Sequence, residues 1–373
     1  MIIGINATAA IKQPRTGVEQ YAYQLIKYLT MLPEATEHRF FLYLSAEVLK
    51  KNCFDFSLPE NFIIKDLRWP LPFLWTQIRL AWEMLRRPPD VLFVPVHILP
   101  LIHPDNSIVV IHGLEYEYFP QYYSFLSRLY LRWSTKYAVR HGRKIIAVSE
   151  NTKQDLIKLY GAEAEKIGVV RHGVEVRSEK LKGGCHNSKL KIEKPYLLYL
   201  GRTETKKNVA GILEAYKILK EKYQIPHLLI LAGAPGFGYE NLKLKIGHLI
   251  EIRNLALGIK ELGYIGENEK QVLLANADIF LFPSFYEGFG LPVLEAQAAG
   301  VPVVTSSVSS LPEVAGEGAL LVDPKSPPEI AKAVKRLIDD LVLRDKLIQS
   351  GLENVKRFSW EKCAKEMLDV LLS

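Results

Sequence analysis

Four charged residues in the second half of the chain have the types and spacing to bind a phosphate-linked sugar. Arg202 and Lys207 stand five residues apart after a short apolar run, and Glu287 and Glu295 stand eight apart around a glycine-rich turn. Arginine offers phosphate a planar fork of donors, and lysine offers a point charge. Because carboxylates repel phosphate, their natural role beside it is to accept hydrogen bonds from sugar hydroxyls. The two pairs together predict a sugar diphosphate site.

The segment around the two glutamates is predicted to be a strand, a glycine turn, a helix and a second strand. Residues 279–282 are wholly apolar, as in a strand buried on both faces. Gly288 and Gly290 permit a sharp turn, and Pro292 suits the first turn of the helix that follows. The amino end of that helix would carry unpaired amides and partial positive charge, which favour phosphate. Two surface glutamates on an ordinary turn of this kind are the alternative at this point.

This segment resembles the Glu-x7-Glu signature of family 4 glycosyltransferases, which have the GT-B fold. The match includes the intervening Gly-Phe-Gly-Leu-Pro of residues 288–292 and the Ala-x-Ala-x-Gly-x-Pro-Val of residues 296–303. The resemblance implies that Glu287 lies by the donor sugar and that Glu295 holds the nucleotide ribose. It also implies that the backbone of the turn reaches the donor sugar and diphosphate, through Gly288, Phe289, Gly290 and Leu291.

A second loop matches the same family. Tyr196 to Leu200 is a predicted strand, and Gly201-Arg202 and then Lys206-Lys207 follow it. A basic surface loop would explain these residues without the resemblance. The family pattern Gly-Arg-x4-Lys implies that Gly201 borders the donor and that Arg202 and Lys207 neutralise its diphosphate. Lys206, next to Lys207, is the alternative residue for the role of the lysine. Residues 262–265 match a segment that borders the nucleotide base, which adds Tyr264 and Ile265 to the donor site.

The first half of the chain supplies two further candidates. A predicted strand at residues 2–6 leads into a loop with Thr16-Gly17 and then a helix, and the family often has two glycines in this loop, facing the donor phosphates and the acceptor. Gly17 alone is carried over. A strand at residues 108–111 ends at His112-Gly113, and ligands bind at the carboxyl ends of parallel strands. A lone histidine is usually structural. This position, however, matches the family's active-site histidine, which lies over the donor sugar. In the family that histidine is more often followed by Asp, where this chain has Gly113.

Bulk properties narrow the class of protein. A chain of 373 residues predicts two domains, and 48% hydrophobic with 24% charged residues is ordinary for a soluble globular protein. Cys53, Cys185 and Cys363 have no metal-ligand spacing and fit a reducing cytoplasm. The first residues enter a strand at once, which predicts no signal peptide, and no apolar run is long enough to span a bilayer. The net charge of +7 fits phosphate-bearing substrates or an anionic membrane surface. The sequence has no zinc-finger, RNP or helix-turn-helix pattern, so no nucleic-acid partner is expected.

Two segments are candidates for contact with an anionic membrane surface. Residues 67–88 are rich in Trp and Leu and include Arg86 and Arg87; a helix packed on the sheet is the alternative. Residues 121–141 are predicted to be a helix with a row of cations four residues apart, at Arg128, Arg132, Lys136 and Arg140. A solvated face is the alternative there. The expected location is cytoplasmic, with a possible peripheral position at the inner face of the membrane.

The resemblance covers nearly the whole chain and implies its architecture. We expect an α/β protein of the GT-B class, in which two Rossmann-like domains face each other across a cleft. Residues 1–175 would form the acceptor-side domain, 176–193 a Lys- and Gly-rich linker, and 194–358 the nucleotide-sugar domain, while a helix in 359–373 would pack back on the first domain. Residues 171–174 resemble the family's hinge, with His172 where Asn is usual.

The implied activity is that of a retaining glycosyltransferase. It would transfer a hexosyl group from a nucleoside diphosphate sugar to a hydroxyl of a saccharide or lipid-linked acceptor, in polysaccharide, O-antigen or glycolipid assembly. Residues 17–21 and the region of His112 resemble mannosyltransferases and other hexosyltransferases of polysaccharide assembly, and this resemblance slightly favours GDP-mannose over UDP-sugars. No Asp-x-Asp occurs, so no metal and no other cofactor is expected. A nucleotide-sugar epimerase or hydrolase on the same fold, or a non-catalytic nucleotide-sugar-binding protein, is the alternative.

Overall fold

The computed structural model describes residues 1–13, 15–45, 54–71, 73–175, 192, 195–251 and 258–373. Apart from Ile192, the expected linker at 176–193 lies outside these residues, as do Cys53 and Cys185. The chain forms two compact units, one of Met1–Gly173 with Phe358–Ser373, and one of Val174–Arg357. Within the described residues, no helix combines the length and the apolar character needed to cross a membrane.

The first unit is built on a parallel sheet of seven strands in the order β3-β2-β1-β4-β5-β6-β7. Strands β4 and β5 at its centre are buried at every position, as expected where helices cover both faces of a parallel sheet. The strand order reverses between β1 and β4, which is where ligands bind in open sheets of this kind. The strands are β1 (Ile2–Asn6), β2 (Arg39–Leu44), β3 (Phe62–Asp66), β4 (Val91–Val94), β5 (Ser107–Ile111), β6 (Lys144–Ala147) and β7 (Ile167–Val169).

The helices of the first unit differ from the sequence-based expectation at two places. The helix expected at 121–141 begins at Phe125, because Pro120 opens a separate 3-10 turn and the Ser124 hydroxyl caps the helix by accepting from the Ser127 amide. Among the described residues of 67–88, the helical part is Trp75–Arg86, which begins with a π-helical segment, Trp75–Leu80. The helices are α1 (Gly17–Leu29), α2 (Ala81–Arg86), α3 (Glu115–Tyr118), α4 (Phe125–His141) and α5 (Glu150–Tyr160).

The second unit repeats the plan with six parallel strands in the order β10-β9-β8-β11-β12-β13. This is the Rossmann strand order, with its reversal between β8 and β11. The strands are β8 (Tyr196–Leu200), β9 (Leu228–Ala232), β10 (Ile259–Gly263), β11 (Ile279–Phe282), β12 (Val303–Ser306) and β13 (Ala319–Val322). The helices are α6 (Val209–Glu221), α7 (Tyr239–Glu251), α8 (Glu267–Asn276), α9 (Leu291–Ala298), α10 (Leu311–Ala315), α11 (Pro327–Asp339) and α12 (Leu341–Val355).

The last helix, α13 (Trp360–Leu372), belongs to the first unit, where it packs against α1. The Ser359 hydroxyl caps it by accepting from the Lys362 amide at 3.0 Å. Its first turn lies directly against Gly173, where an added Cβ would stand 2.2 Å from the backbone nitrogen of Trp360. Only glycine fits there, so Gly173 fixes how closely the chain and α13 approach.

Replacing Gly173 with alanine should therefore destabilise the first unit. We expect a loss of about 1–3 kcal/mol in the free energy of unfolding, the usual range for overpacking. Denaturant unfolding followed by tryptophan fluorescence measures it. Gly247→Ala is the matched control, since nothing lies within 4 Å of the added Cβ on α7; it should be neutral or stabilising. Equal stabilities of Gly173→Ala and wild type would contradict the packing described.

Candidate active site

The carboxyl ends of β8, β9 and β10 are linked through glycines. The Gly201 amide donates to Ala232 at 3.0 Å, and the Gly233 amide donates to Gly263 at 2.7 Å. Gly201 and Gly233 have φ values of +154° and +151°, and a Cβ on Gly233 would lie 1.8 Å from the Gly201 carbonyl oxygen. The loop after β8 is thus held close to its neighbours by backbone contacts that side chains would block.

This loop carries the two predicted phosphate-binding cations. Lys207 ends a 3-10 turn, and Asn208 then caps α6 in a left-handed conformation with φ +57°. The Asn208 amide group donates to the carbonyl oxygens of Pro283 at 3.0 Å and Pro324 at 2.6 Å. The Phe285 amide donates to the Lys206 carbonyl at 3.0 Å. The contacts with Pro283 and Phe285 fasten the loop after β8 to the loop after β11, so the strands on the two sides of the reversal present their loops together.

An ion pair joins the two loops through their side chains. The Lys207 ammonium lies 2.5 and 2.7 Å from the two carboxylate oxygens of Glu287. The two side chains are only 16% and 12% exposed, and the ammonium also lies 5.4 Å from the centre of the Phe282 ring. Partly buried charges are stable only when paired, so each of these groups holds the other in position. A cation and a carboxylate thus stand side by side.

The other two cations of the loop share a different partner. Glu204 is nearly buried; its carboxylate lies 3.6 Å from the Lys206 ammonium and 3.9 Å from Nε of Arg202. The Arg202 side chain is 56% exposed, so its guanidinium remains open to a ligand. Of the two adjacent lysines, Lys207 is therefore the one beside Glu287, while Lys206 lies beside Glu204.

The glycine turn between β11 and α9 is held by two serines. The Ser309 hydroxyl donates to the Glu287 carbonyl at 2.5 Å and accepts from the Glu287 amide at 3.1 Å. The Ser310 hydroxyl lies 2.8 Å from the Glu287 carbonyl and 2.6 Å from the Phe289 carbonyl. Gly290 has φ +117°, and a Cβ there would stand 2.7 Å from the Leu311 side chain. The turn that brings Glu287 to Lys207 is thus fixed in its conformation before α9 begins.

Glu295 lies further along α9 and has a partner of its own. The Lys270 ammonium, on α8, lies 2.8 Å from Glu295 and 2.9 Å from Glu267. Burial alone would lower the pKa of Lys270, but the two carboxylates outweigh it and raise the pKa above its usual value. Tyr264, after β10, is largely exposed, and Ile265 is half-buried.

His112 and Gly17 belong to the first unit. Gly17 is the first residue of α1, with open space around the position of a Cβ. One turn later, Tyr21 meets the His112 ring edge-on at 4.8 Å and stacks on His172 at 4.5 Å. His172, the departure from the usual hinge residue, also stacks against Trp360 at 6.1 Å. His97, which follows β4 with φ +40°, lies 5.7 Å from His112.

This aromatic cluster keeps His112 neutral. Burial lowers the pKa of His112 to about 3, and His97 adds to the effect. Its Nε2 lies 2.7 Å from the Pro95 carbonyl, to which a neutral ring must donate, so Nδ1 keeps its lone pair. That nitrogen is buried and has no hydrogen-bond partner among the described residues. His112 can therefore act as an acceptor or a polar contact, and not as a cation.

Two family models match the chain. Residues 15–178 match the model described as Glycosyltransferase Family 4, and residues 186–354 match the one described as Glycosyl transferases group 1. Together the matches cover most of the sequence. The chain belongs to glycosyltransferase family 4. It is accordingly a glycosyltransferase, as the Glu-x7-Glu resemblance implied.

Similar proteins and structures agree with this family and its fold. O-antigen chain mannosyltransferase B of Escherichia coli is 29% identical over 380 residues, 98% of each chain. Sucrose-phosphate synthase of Thermosynechococcus elongatus superposes with a TM-score of 0.75 at 19% identity, covering 99% of this chain and 98% of that one. HepE of Anabaena, solved in complex with UDP-glucose, gives a TM-score of 0.71 at 17% identity, covering 100% and 99%. The expected α/β GT-B fold class is confirmed.

In this family 4 glycosyltransferase, the sequence predicted site residues in the loops that follow the strands. It did not predict the residues whose side chains fix those site residues in position. Arg202, Lys207, Glu287 and the turn through Leu291 lie on adjoining loops, whereas Glu295 is held separately by Lys270. The supports that were missed are Asn208, Lys270, Ser309 and Ser310, and in the first unit Tyr21 and His97. One local signal was available, since residues 305–310 read Thr-Ser-Ser-Val-Ser-Ser after a buried strand. The roles of the predicted site residues stay predictions.

The depressed pKa of His112 makes a prediction about acid stability. A histidine neutral in the folded state and charged when unfolded stabilises the fold fully above pH 6.5, and this contribution is lost as pH falls toward 3. Between pH 7 and pH 5, the unfolding free energy of His112→Gln should therefore fall by about 2 kcal/mol less than that of wild type. Denaturant titrations of both proteins at the two pH values measure this. Equal losses would contradict the buried, neutral assignment.

Proposed function

We propose that the protein is a retaining hexosyltransferase that uses a nucleoside diphosphate sugar as donor. The observation that carries the proposal is the ion pair of Lys207 and Glu287, which joins the loops after β8 and β11. The exposed Arg202 lies on the same loop as Lys207. A diphosphate needs cations and a sugar needs hydroxyl acceptors, and these loops supply both. The HepE structure, of the same fold, was solved with UDP-glucose, which agrees with a nucleotide sugar.

The proposed chemistry is electrostatic. As the bond between the sugar and the diphosphate breaks, negative charge develops on the leaving phosphate oxygens. Arg202, Lys207 and the amino end of α9 would stabilise that charge, and preorganised donors of this kind commonly make the largest contribution to catalysis. In the retaining course proposed here, the acceptor hydroxyl attacks the face that the diphosphate leaves, and a phosphate oxygen takes its proton. Glu287 would hold the sugar, and Glu295 the ribose.

Protein cations take the place of a metal in this proposal. The sequence lacks Asp-x-Asp, and Arg202 and Lys207 carry the charge that would neutralise the diphosphate. Transfer is therefore expected to proceed without added metal and without any other cofactor.

The proposed sugar is mannose, and GDP-mannose is the leading donor. The support is the similarity over nearly the full length to O-antigen chain mannosyltransferase B of Escherichia coli. The acceptor would be a hydroxyl of a saccharide or of a lipid-linked saccharide in O-antigen, polysaccharide or glycolipid assembly. A lipid-linked acceptor would place the reaction at a membrane, so we include peripheral contact with the cytoplasmic face of an anionic membrane. The comparisons do not favour an epimerase, a hydrolase or a non-catalytic binding protein.

A thermal-shift screen tests the donor. A ligand that binds only the folded state stabilises it by mass action and so raises the melting temperature. At a ligand concentration of about a hundred times Kd, the gain in the free energy of unfolding is about 2.7 kcal/mol. GDP-mannose should give a larger shift than UDP-glucose, UDP-galactose or free mannose, and it should support transfer to an O-antigen oligosaccharide in the presence of EDTA. A larger shift with a UDP-sugar would replace the donor assignment. No shift with any nucleotide sugar would contradict the proposed function.

Substitutions at the ion pair test the residue roles. Lys207→Ala should slow transfer by about 2–4 kcal/mol in transition-state free energy, as for loss of an oxyanion donor. Glu287→Gln should abolish measurable transfer while GDP binding persists. Lys206→Ala is the matched control, because this neighbouring lysine pairs with Glu204 and should keep most of the rate. Near-normal transfer by Lys207→Ala, or loss of nucleotide affinity as the sole effect of Glu287→Gln, would rule out these roles.

A further inference from the structure

Helix α4 has its polarity inverted relative to an ordinary surface helix. It buries Ser134, Thr135, Ala138 and Val139, which are small or only modestly apolar. Its first turns expose large apolar side chains, with Phe125 79% and Leu126 74% exposed. A helix on a globular domain normally turns its large apolar residues toward the core, and clustered exposed apolar residues mark an interaction surface. The packing of the first unit therefore does not account for these side chains.

Five exposed residues of α4 form one stripe along the helix. Phe125, Leu129, Trp133, Lys136 and Arg140 follow one another at intervals of four, four, three and four residues, which keeps them on one face. The first three are apolar and the last two are cationic. The stripe thus passes from an apolar end to a charged end along a single helix.

A second exposed apolar segment adjoins this stripe. Helix α2 and the π-helical segment before it expose Ile78, Trp82 and Leu85. The Gln77 side chain donates to the Leu99 carbonyl and accepts from the Leu101 amide, at 3.2 and 3.0 Å. The Tyr137 hydroxyl, on α4, donates to the Leu101 carbonyl at 2.9 Å. The exposed side chains of Leu101 and Ile102 lie in this connecting loop, so the two segments form one surface.

We call this the apolar–cationic surface, and its charges favour an anionic partner. Lys136 and Arg140 are exposed and form no ion pair with any described residue. The Arg86 guanidinium lies 5.1 Å from the Trp82 ring, beside the apolar side chains of α2. Arg128 and Arg132, on the flank of α4, share the single carboxylate of Glu117, at 3.8 and 2.9 Å. Exposed Trp, Phe and Leu interleaved with Arg and Lys are typical of helices that lie in the interface of anionic bilayers.

We propose that the apolar–cationic surface docks the first unit on an anionic phospholipid bilayer. Phe125, Leu129 and Trp133 would enter the boundary between headgroups and acyl chains, while Lys136 and Arg140 would meet lipid phosphates. This gives the membrane contact suggested under the proposed function a defined set of residues. It does not depend on the donor or on transfer, because vesicle binding is measured without either.

Vesicle flotation of the full chain tests the proposal. Wild type should bind vesicles of phosphatidylcholine with phosphatidylglycerol, bind vesicles of phosphatidylcholine alone much more weakly, and release the anionic vesicles as salt is raised. Phe125→Ser/Leu129→Ser should weaken binding at least about tenfold, because two exposed apolar side chains no longer enter the bilayer. Lys136→Gln/Arg140→Gln should weaken it by about tenfold or more, and only on anionic vesicles.

Matched controls separate the surface from general stickiness and from misfolding. Val342→Ser removes an equally exposed apolar side chain in the second unit, and Lys356→Gln/Lys362→Gln removes two exposed cations elsewhere; both should bind like wild type. All variants should melt like wild type and transfer normally to a water-soluble acceptor. The proposal would be overturned if wild type bound no vesicles, or if the Phe125→Ser/Leu129→Ser variant bound them as wild type does. It would also be overturned if wild type were a dimer and this variant a monomer, because the surface would then bind a second copy of the chain.

Discussion

The ion pair between Lys207 and Glu287 is the interaction on which the proposed site depends. Taking either charge out of water is costly, and at their observed exposure each is tolerated because the other lies within hydrogen-bond distance. The pair also requires two loops, more than seventy residues apart in the chain, to end at the same point. Asn208 supplies that constraint from the β8 side, and Ser309 and Ser310 supply it from the β11 side. The loops that carry the charged groups are thus held by neutral hydrogen bonds, which leave the charges themselves unaltered.

The Rossmann plan explains why polar residues gather at the strand ends of both units. In each sheet, the reversal of strand order leaves two adjacent carboxyl ends free of a crossing helix, and the chain must turn sharply there. In the second unit, the turns carry glycines and charged side chains. In the first unit, His97 and His112, which follow β4 and β5, have lowered pKa values because they are buried, and His112 also packs against Tyr21. One architecture therefore provides a charged environment in one unit and an uncharged, desolvated one in the other.

The sequence predicted the parts of this structure that depend on neighbouring residues. Arg202 and Lys207 lie on one loop, and Glu287 and Leu291 lie on another, so the short motifs of the family resemblance could place each pair. The reach of Ser309 to Glu287, and of Lys270 to Glu295, depends on how separate loops and helices pack, and no short pattern encodes it. The predicted start of α4 was wrong for a different reason: the range 121–141 included Ser124, whose hydroxyl caps the helix so that it begins at Phe125. The inverted polarity of α4 required knowledge of which face is buried.

The most direct test of a diphosphate site built from two loops is to compare nucleotides that differ by one phosphate. Calorimetric affinities for GDP and GMP should be measured on wild type, Arg202→Ala and Lys207→Ala, with UDP and UMP in parallel. The account predicts that wild type prefers the diphosphate and that both substitutions remove most of that preference while leaving monophosphate affinity nearly unchanged. A preference that survives both substitutions would mean that the terminal phosphate lies elsewhere, and the account would be wrong.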